Sequence, residues 1–284
     1  AGCRSIAAVE EVVSVESGLC QAGANTLYVG PSATGSGNGS DYNNLLAQTF
    51  TPVRGKTYCY VDGTYNQKTL STATSGSTTI TLTKATVLNH GTSVGWSDTM
   101  GDGQATFSSN LVMSTVYLVI DGATRDEDDW FDGTAYGFRV NANSTGQNVI
   151  LTSSFAWSNL TFKYIYFEGI ADTEAGGIRA YTFDPDASLN SNGPRPGLYI
   201  SRTYQHLNAN NVVLFSTEGA IVEYSAFADG WSNATYHGEI INCYSINGAN
   251  SRCDNAIIRW NHFRDASSQT ATVAIASEIG DGFA

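Results

Sequence analysis

Three stretches in the second half of this chain carry one spaced pattern, and a fourth begins it. Leu160-Thr161-Phe162 leads to Phe167, Ala220-Ile221-Val222 to Phe227, and Ala256-Ile257-Ile258 to Phe263. Leu198-Tyr199-Ile200 starts alike, but Gln205 stands where the Phe is expected. Apolar residues two apart mark a strand with one buried face. The starts are separated by 38, 22 and 36 residues. A strand unit that recurs in this way buries its inner face against its neighbours, as the coils of a solenoid do. One coil takes on the order of 20–30 residues, so the longer intervals hold an extra coil or a loop insertion.

The first half fits the same plan. Thr26–Val29 and Tyr58–Val61 read as short strands, the latter closed by the turn Asp62-Gly63. Thr78–Leu82 alternates Thr with Ile80 and Leu82, as a half-buried strand does. Val116–Ile120 is apolar throughout, which predicts burial on both sides. Asn-rich runs such as Asn208-Ala209-Asn210-Asn211 suit left-handed corners between strands. Twenty-nine glycines supply further turns. The one convincing helical stretch is residues 4–18, where Ile6, Val9, Val12 and Val13 share a face, Ser5 can cap it and Gly18 ends it. Its apolar face is expected to cover the first coil. The organisation is thus a cap segment over residues 1–25 and one all-β domain over 26–284.

Composition removes several classes of function. The formal net charge is −12, which repels a phosphate backbone, so nucleic acid is not an expected partner. No run of about 18 apolar residues is present, so no membrane span is expected. The five cysteines, Cys3, Cys20, Cys59, Cys243 and Cys253, have no zinc-type spacing. Cys3 with Cys20 and Cys243 with Cys253 are the expected local disulfides, Cys59 being left as a buried thiol. The alternative is five reduced core thiols.

Two segments resemble a known superfamily. Val53-Arg54-Gly55-Lys56-Thr57-Tyr58-Cys59-Tyr60-Val61-Asp62-Gly63-Thr64-Tyr65, together with the Gly/Ser loop from Tyr28 to Ser40, resembles the first coil of pectin-lyase-like parallel β-helix proteins. Asn255–Asp265 is similar to the repeated coil of that superfamily. The resemblance implies a right-handed parallel β-helix with three parallel sheets, in keeping with the handedness of parallel crossovers. It also implies a groove that carries polysaccharide in the enzymatic members.

Candidate chemistry follows from three clusters. His237, Glu239 and Arg259 could serve a uronate lyase: Arg259 or His237 as base, Glu239 holding a calcium ion, with Glu239 and Arg259 one coil apart as an ion pair. The run Gly238-Glu239-Ile240-Ile241 resembles alginate- and chondroitin-lyase β-helices, but Cys243-Tyr244-Ser245 stands where their Lys is expected. Asp184, Asp186, Asn190 and Asn192 offer closely spaced oxygens to calcium, or form a hydrogen-bonded turn. Trp96, Trp130, Tyr236 and His262 could stack on sugar rings, or cover the core. The acidic loop Arg125–Asp132 reads as a solvated turn.

Two functions compete on these grounds. The leading expectation is a secreted or cell-surface scaffold that binds glycans, self-associates through an open C-terminal end, or both. The alternative is a calcium-assisted lyase acting on uronate polymers.

Overall fold

The computed structural model describes residues 19–141, 147–151, 158–169, 176–180, 195–207, 210–215, 217–229, 240–244, 253–264 and 275–278. The helix expected over residues 4–18 lies outside them. Among the described residues the chain is all-β, and its helical content is two 3-10 turns, Asp98–Met100 and Gly133–Ala135.

The strands open with β1 (Thr26–Gly30) and β2 (Leu46–Ala47), then follow in triplets. They are β3 (Thr57–Tyr60), β4 (Gly63–Tyr65), β5 (Lys68–Leu70); β6 (Ile80–Lys84), β7 (Ala105–Phe107), β8 (Leu111–Met113); and β9 (Leu118–Asp121), β10 (Phe138–Asn141), β11 (Gln147–Leu151). Next come β12 (Leu160–Lys163), β13 (Ile165–Glu168), β14 (Gly176–Ala180); then β15 (Arg195–Pro196), β16 (Leu198–Ser201), β17 (Tyr204–His206), β18 (Asn210–Phe215). The last are β19 (Thr217–Glu218), β20 (Ile221–Glu223), β21 (Ala226–Ala228), β22 (Ile241–Tyr244), β23 (Cys253–Asp254), β24 (Ile257–Arg259), β25 (His262–Arg264) and β26 (Ile275–Glu278). Every pairing between them is parallel. Each triplet gives one strand to a nine-stranded first sheet, one to a seven-stranded second sheet and one to a seven-stranded third sheet. Strands β15, β19 and β23 form a small fourth sheet.

The register follows the sequence repeat. Phe162 pairs with Ile200, Ile200 with Val222, and Val222 with Ile258 in the first sheet. In the second sheet Phe167 pairs with a rung holding Gln205, then Phe227, then Phe263. Side chains alternate across a strand, so these columns point inward together. They meet Leu70, Leu111, Met113, Val149, Val212 and Ile241 of the third sheet in one apolar core, except that Phe263, on the last described rung of the second sheet, is 42% exposed. Val116–Ile120 departs from its expected double burial: Leu118 and Ile120 are buried, whereas Val119 faces outward and is half-exposed.

Cys20 is bonded to Cys59, with Cα atoms 5.6 Å apart. This corrects two expectations: Cys20 does not pair with Cys3, and Cys59 is not a free thiol. The reason lies in the register. Cys59 points outward from β3, beneath an external cluster of Tyr28, Tyr42, Leu45, Val61 and Ala85, and residue 20 runs into that cluster. Cys3 and the side chains of Cys243 and Cys253 lie outside the described residues.

Candidate functional site

Each passage of the chain turns a corner as it enters the first sheet and another as it leaves. Both corners use the left-handed backbone region. At the leading corner Tyr117 (φ 51°), Asn159 (φ 53°), Gly197 (φ 78°), Gly219 (φ 62°) and Asn255 (φ 55°) occupy successive rungs. Apart from Tyr117, these are the residue types that adopt this conformation at least cost. At the trailing corner the same conformation is taken by Tyr164 (φ 53°), Arg202 (φ 52°), Tyr224 (φ 50°) and Trp260 (φ 54°). A bulky L-residue there costs about 1–2 kcal/mol.

These four side chains form a ladder on the outside of the molecule. The Arg202 guanidinium lies 5.7 Å from the Tyr164 ring centre and 4.9 Å from that of Tyr224. The Tyr224 and Trp260 rings stack at 4.9 Å. Arg259 lies 4.0 Å over Trp260, whose side chain is 55% exposed. Tyr164, Arg202 and Tyr224 are half-exposed.

The acidic loop 125–132 keeps Asp126, Glu127, Asp128 and Asp129 exposed, as expected of a solvated turn, while its Arg125, Trp130 and Phe131 fold against this ladder and the second sheet. Arg125 is buried, donates to the Tyr224 carbonyl at 2.5 Å and lies 3.9 Å over the Trp130 ring. The Trp130 indole N–H donates to the Glu127 carbonyl at 3.0 Å. Trp130 meets Tyr224 edge-on at 6.4 Å and stacks on His262 at 4.3 Å. Phe131 packs edge-on against Tyr204, and Arg264 lies 4.2 Å over Phe131. The ladder thus continues into a broad aromatic surface over the second sheet.

A polar chain runs beside it. The Tyr166 hydroxyl is 3.2 Å from Glu168 Oε1 and 3.1 Å from His206 Nδ1, and His206 Nε2 is 2.9 Å from Asp229 Oδ2. Arg139 pairs with Glu168, and Asn141 donates to it at 2.6 Å. Burial, reinforced by the Glu168 charge, pushes the Tyr166 phenol above its ordinary range. Burial pushes Tyr204 up to about 12, although Arg264 acts the other way.

Of the residues expected to act, Trp130 and His262 come together in this surface. Trp96 is elsewhere, stacked on His90 at 4.3 Å and edge-on to Tyr42 in the cluster beside the disulfide. Arg259 is described, and its partner is Glu223 on the adjacent rung, Nε to Oε2 2.7 Å. Neighbouring rungs decide such pairs, and the rung next to Arg259 in this sheet is 36 residues back, not 20. Tyr236, His237, Glu239, Asp184, Asp186, Asn190 and Asn192 lie outside the described residues, as do residues 265–274 and 279–284 of the expected open end. Among the described residues no group of three or more His, Cys, Asp or Glu could hold a metal ion, and no helix is long and apolar enough to cross a membrane.

The sequence contains a signal for the ladder that motif reasoning passed over. Tyr164, Arg202, Tyr224 and Trp260 each lie four residues after a repeat start. No protein family, curated protein or solved structure matches this chain.

Proposed function

We propose that this protein is an extracellular right-handed parallel β-helix of the pectin-lyase-like kind that binds polysaccharide along its trailing corner. The cyclic visiting of three parallel sheets supports the fold. The Cys20–Cys59 disulfide supports an oxidising compartment. The observation that carries the binding role is the contrast between the corners. At the leading corner the left-handed residue is Asn or Gly on four rungs and Tyr117 on a fifth; at the trailing corner all four are large side chains, Tyr, Arg, Tyr and Trp, in the same strained conformation. Strained residues cluster at functional and ligand-binding sites. Flat rings presented in series along a stack of rungs, spaced by about 4.8 Å, match an extended sugar polymer that offers its C–H faces to them.

Affinity electrophoresis in gels cast with a panel of soluble polysaccharides tests this. The protein is expected to be retarded by at least one of them. Trp260→Ala and Tyr224→Ala each weaken that binding, while Trp96→Ala, on the separate cluster, does not. No retardation on the panel, or retardation indifferent to Trp260 and Tyr224, overturns the assignment.

A lyase remains the second reading, and Tyr166, His206 and Asp229 favour it. Tyr166 and His206 are an acid–base pair in contact, and Asp229 orients the imidazole. They would supply the base in place of Arg259, because a guanidinium bound to a carboxylate is a poor proton acceptor. Ultraviolet absorbance from unsaturated product, in the same incubations with uronate polymers, would select this reading.

A further inference from the structure

We infer that the trailing corner selects neutral polysaccharides over uronate-containing ones, an inference that rests on the binding role proposed above. Its basis is the charge around the ladder. Among the described residues, each cation that touches the four ladder residues already has a carboxylate within reach. Lys163 Nζ is 3.7 Å from Asp121, Arg202 Nε is 3.5 Å from Glu127, Arg125 Nη2 is 2.7 Å from Glu127, and Arg259 Nε is 2.7 Å from Glu223. Glu223 also accepts from the Tyr199 hydroxyl at 2.6 Å, which fixes it beneath Arg259.

These guanidinium groups lie over aromatic rings. Arg202 lies over Tyr164 and Tyr224, Arg125 over Trp130, and Arg259 over Trp260. They extend the stacking surface; Glu127 serves both Arg202 and Arg125, so the four cations share three carboxylates and leave one positive charge, which the adjoining acidic loop more than offsets. The adjoining loop adds Asp126, Asp128, Asp129 and Asp132, and the whole chain carries a formal charge of −12. A polyuronate approaching this corner meets like charge. A neutral glycan meets flat rings and paired polar groups, with no ion pair to dismantle.

The test measures binding of the full chain, at low salt, to neutral polymers (galactomannan, xyloglucan, mixed-linkage β-glucan) and to polygalacturonate and alginate, by calorimetry. The expected result is binding to a neutral polymer at least about tenfold tighter than to either uronate polymer. Trp260→Ala weakens it about tenfold, the size of one lost stacking contact, and Trp260→Phe restores part of it. Glu223→Gln keeps the shape and releases Arg259, so affinity for uronate polymers rises. Circular dichroism checks the fold of each variant. Uronate binding equal to or tighter than neutral binding overturns this inference and leaves the binding role standing. Failure to bind either class overturns both. Neutral binding insensitive to Trp260 and Tyr224 removes the site from the corner.

Discussion

Gln205 sits where the repeat places Phe. It points into the core between Phe167 and Phe227, is fully buried, and neither its amide nitrogen nor its amide oxygen has a partner among the described residues. An unsatisfied buried polar group costs about 1–3 kcal/mol. Met has similar length and no hydrogen-bonding requirement, and it adapts to irregular space. Gln205→Met is therefore expected to raise unfolding stability by about 1–3 kcal/mol, read from urea or thermal denaturation. A fall in stability would mean that the amide is satisfied in solution, by an ordered water in the core. At the same scale, Gly122 has a steric reason: a Cβ there would meet the Tyr164 carbonyl oxygen at 1.9 Å, directly beneath the first ladder residue.

Among the elements, the disulfide has a defined task. It joins residue 20 to β3 across a sequence separation of 39 and closes the external cluster of Tyr28, Tyr42 and Leu45. A cross-link closing a loop of that length restricts the unfolded chain, an effect of about 2–4 kcal/mol. Cys20→Ser with Cys59→Ser is expected to lower stability by that amount, and reduction of the native protein to lower its Tm in parallel. Equal Tm values with and without reductant would show that the cluster holds without the bond. The loop 125–132 is an element of a different kind. Its acidic residues face water, but Arg125, Trp130 and Phe131 anchor it to the second sheet. Charge content alone pointed to the solvated side of that loop and missed its anchors.

Over the whole molecule, buried ionisable groups set the alkaline behaviour. Lys68 is buried against the carbonyls of Gln48 and Phe50, and burial lowers it to about 8. Burial also lowers Lys84, although Asp62 opposes that shift. An amine whose folded value is depressed destabilises the fold while both states are charged. That penalty is relieved as pH rises from about 8 toward the unfolded value near 10.5. The phenols act oppositely. Burial raises Tyr42, Tyr60, Tyr65, Tyr136 and Tyr166 above 10.0, so the stability they contribute is complete below that pH and is lost above it. Thermal melts should show a gain from pH 8 to about 10 that is reduced in Lys68→Met, then a steep fall above about 10 in both proteins. A Lys68→Met profile parallel to that of the native chain would remove Lys68 from this account.

The sequence by itself marked the principal strands and the starts of their repeats. Alternation of apolar residues is local, and the Phe column repeats at intervals that the pairing of Phe162, Ile200, Val222 and Ile258 follows. It also marked Trp130 and His262 as aromatic contacts. Only the tertiary structure decided which residues meet across rungs. Arg259 finds Glu223, and Cys20 finds Cys59, because the lengths of the intervening loops set which residues become neighbours. The ladder divides the two kinds of information. Its residue types stand at one fixed offset from each repeat start, legible to anyone who aligns the repeats. Their left-handed backbone, which turns Tyr164, Arg202, Tyr224 and Trp260 outward into one stack, arises from closing each corner against the rung below. No single stretch of sequence encodes that constraint.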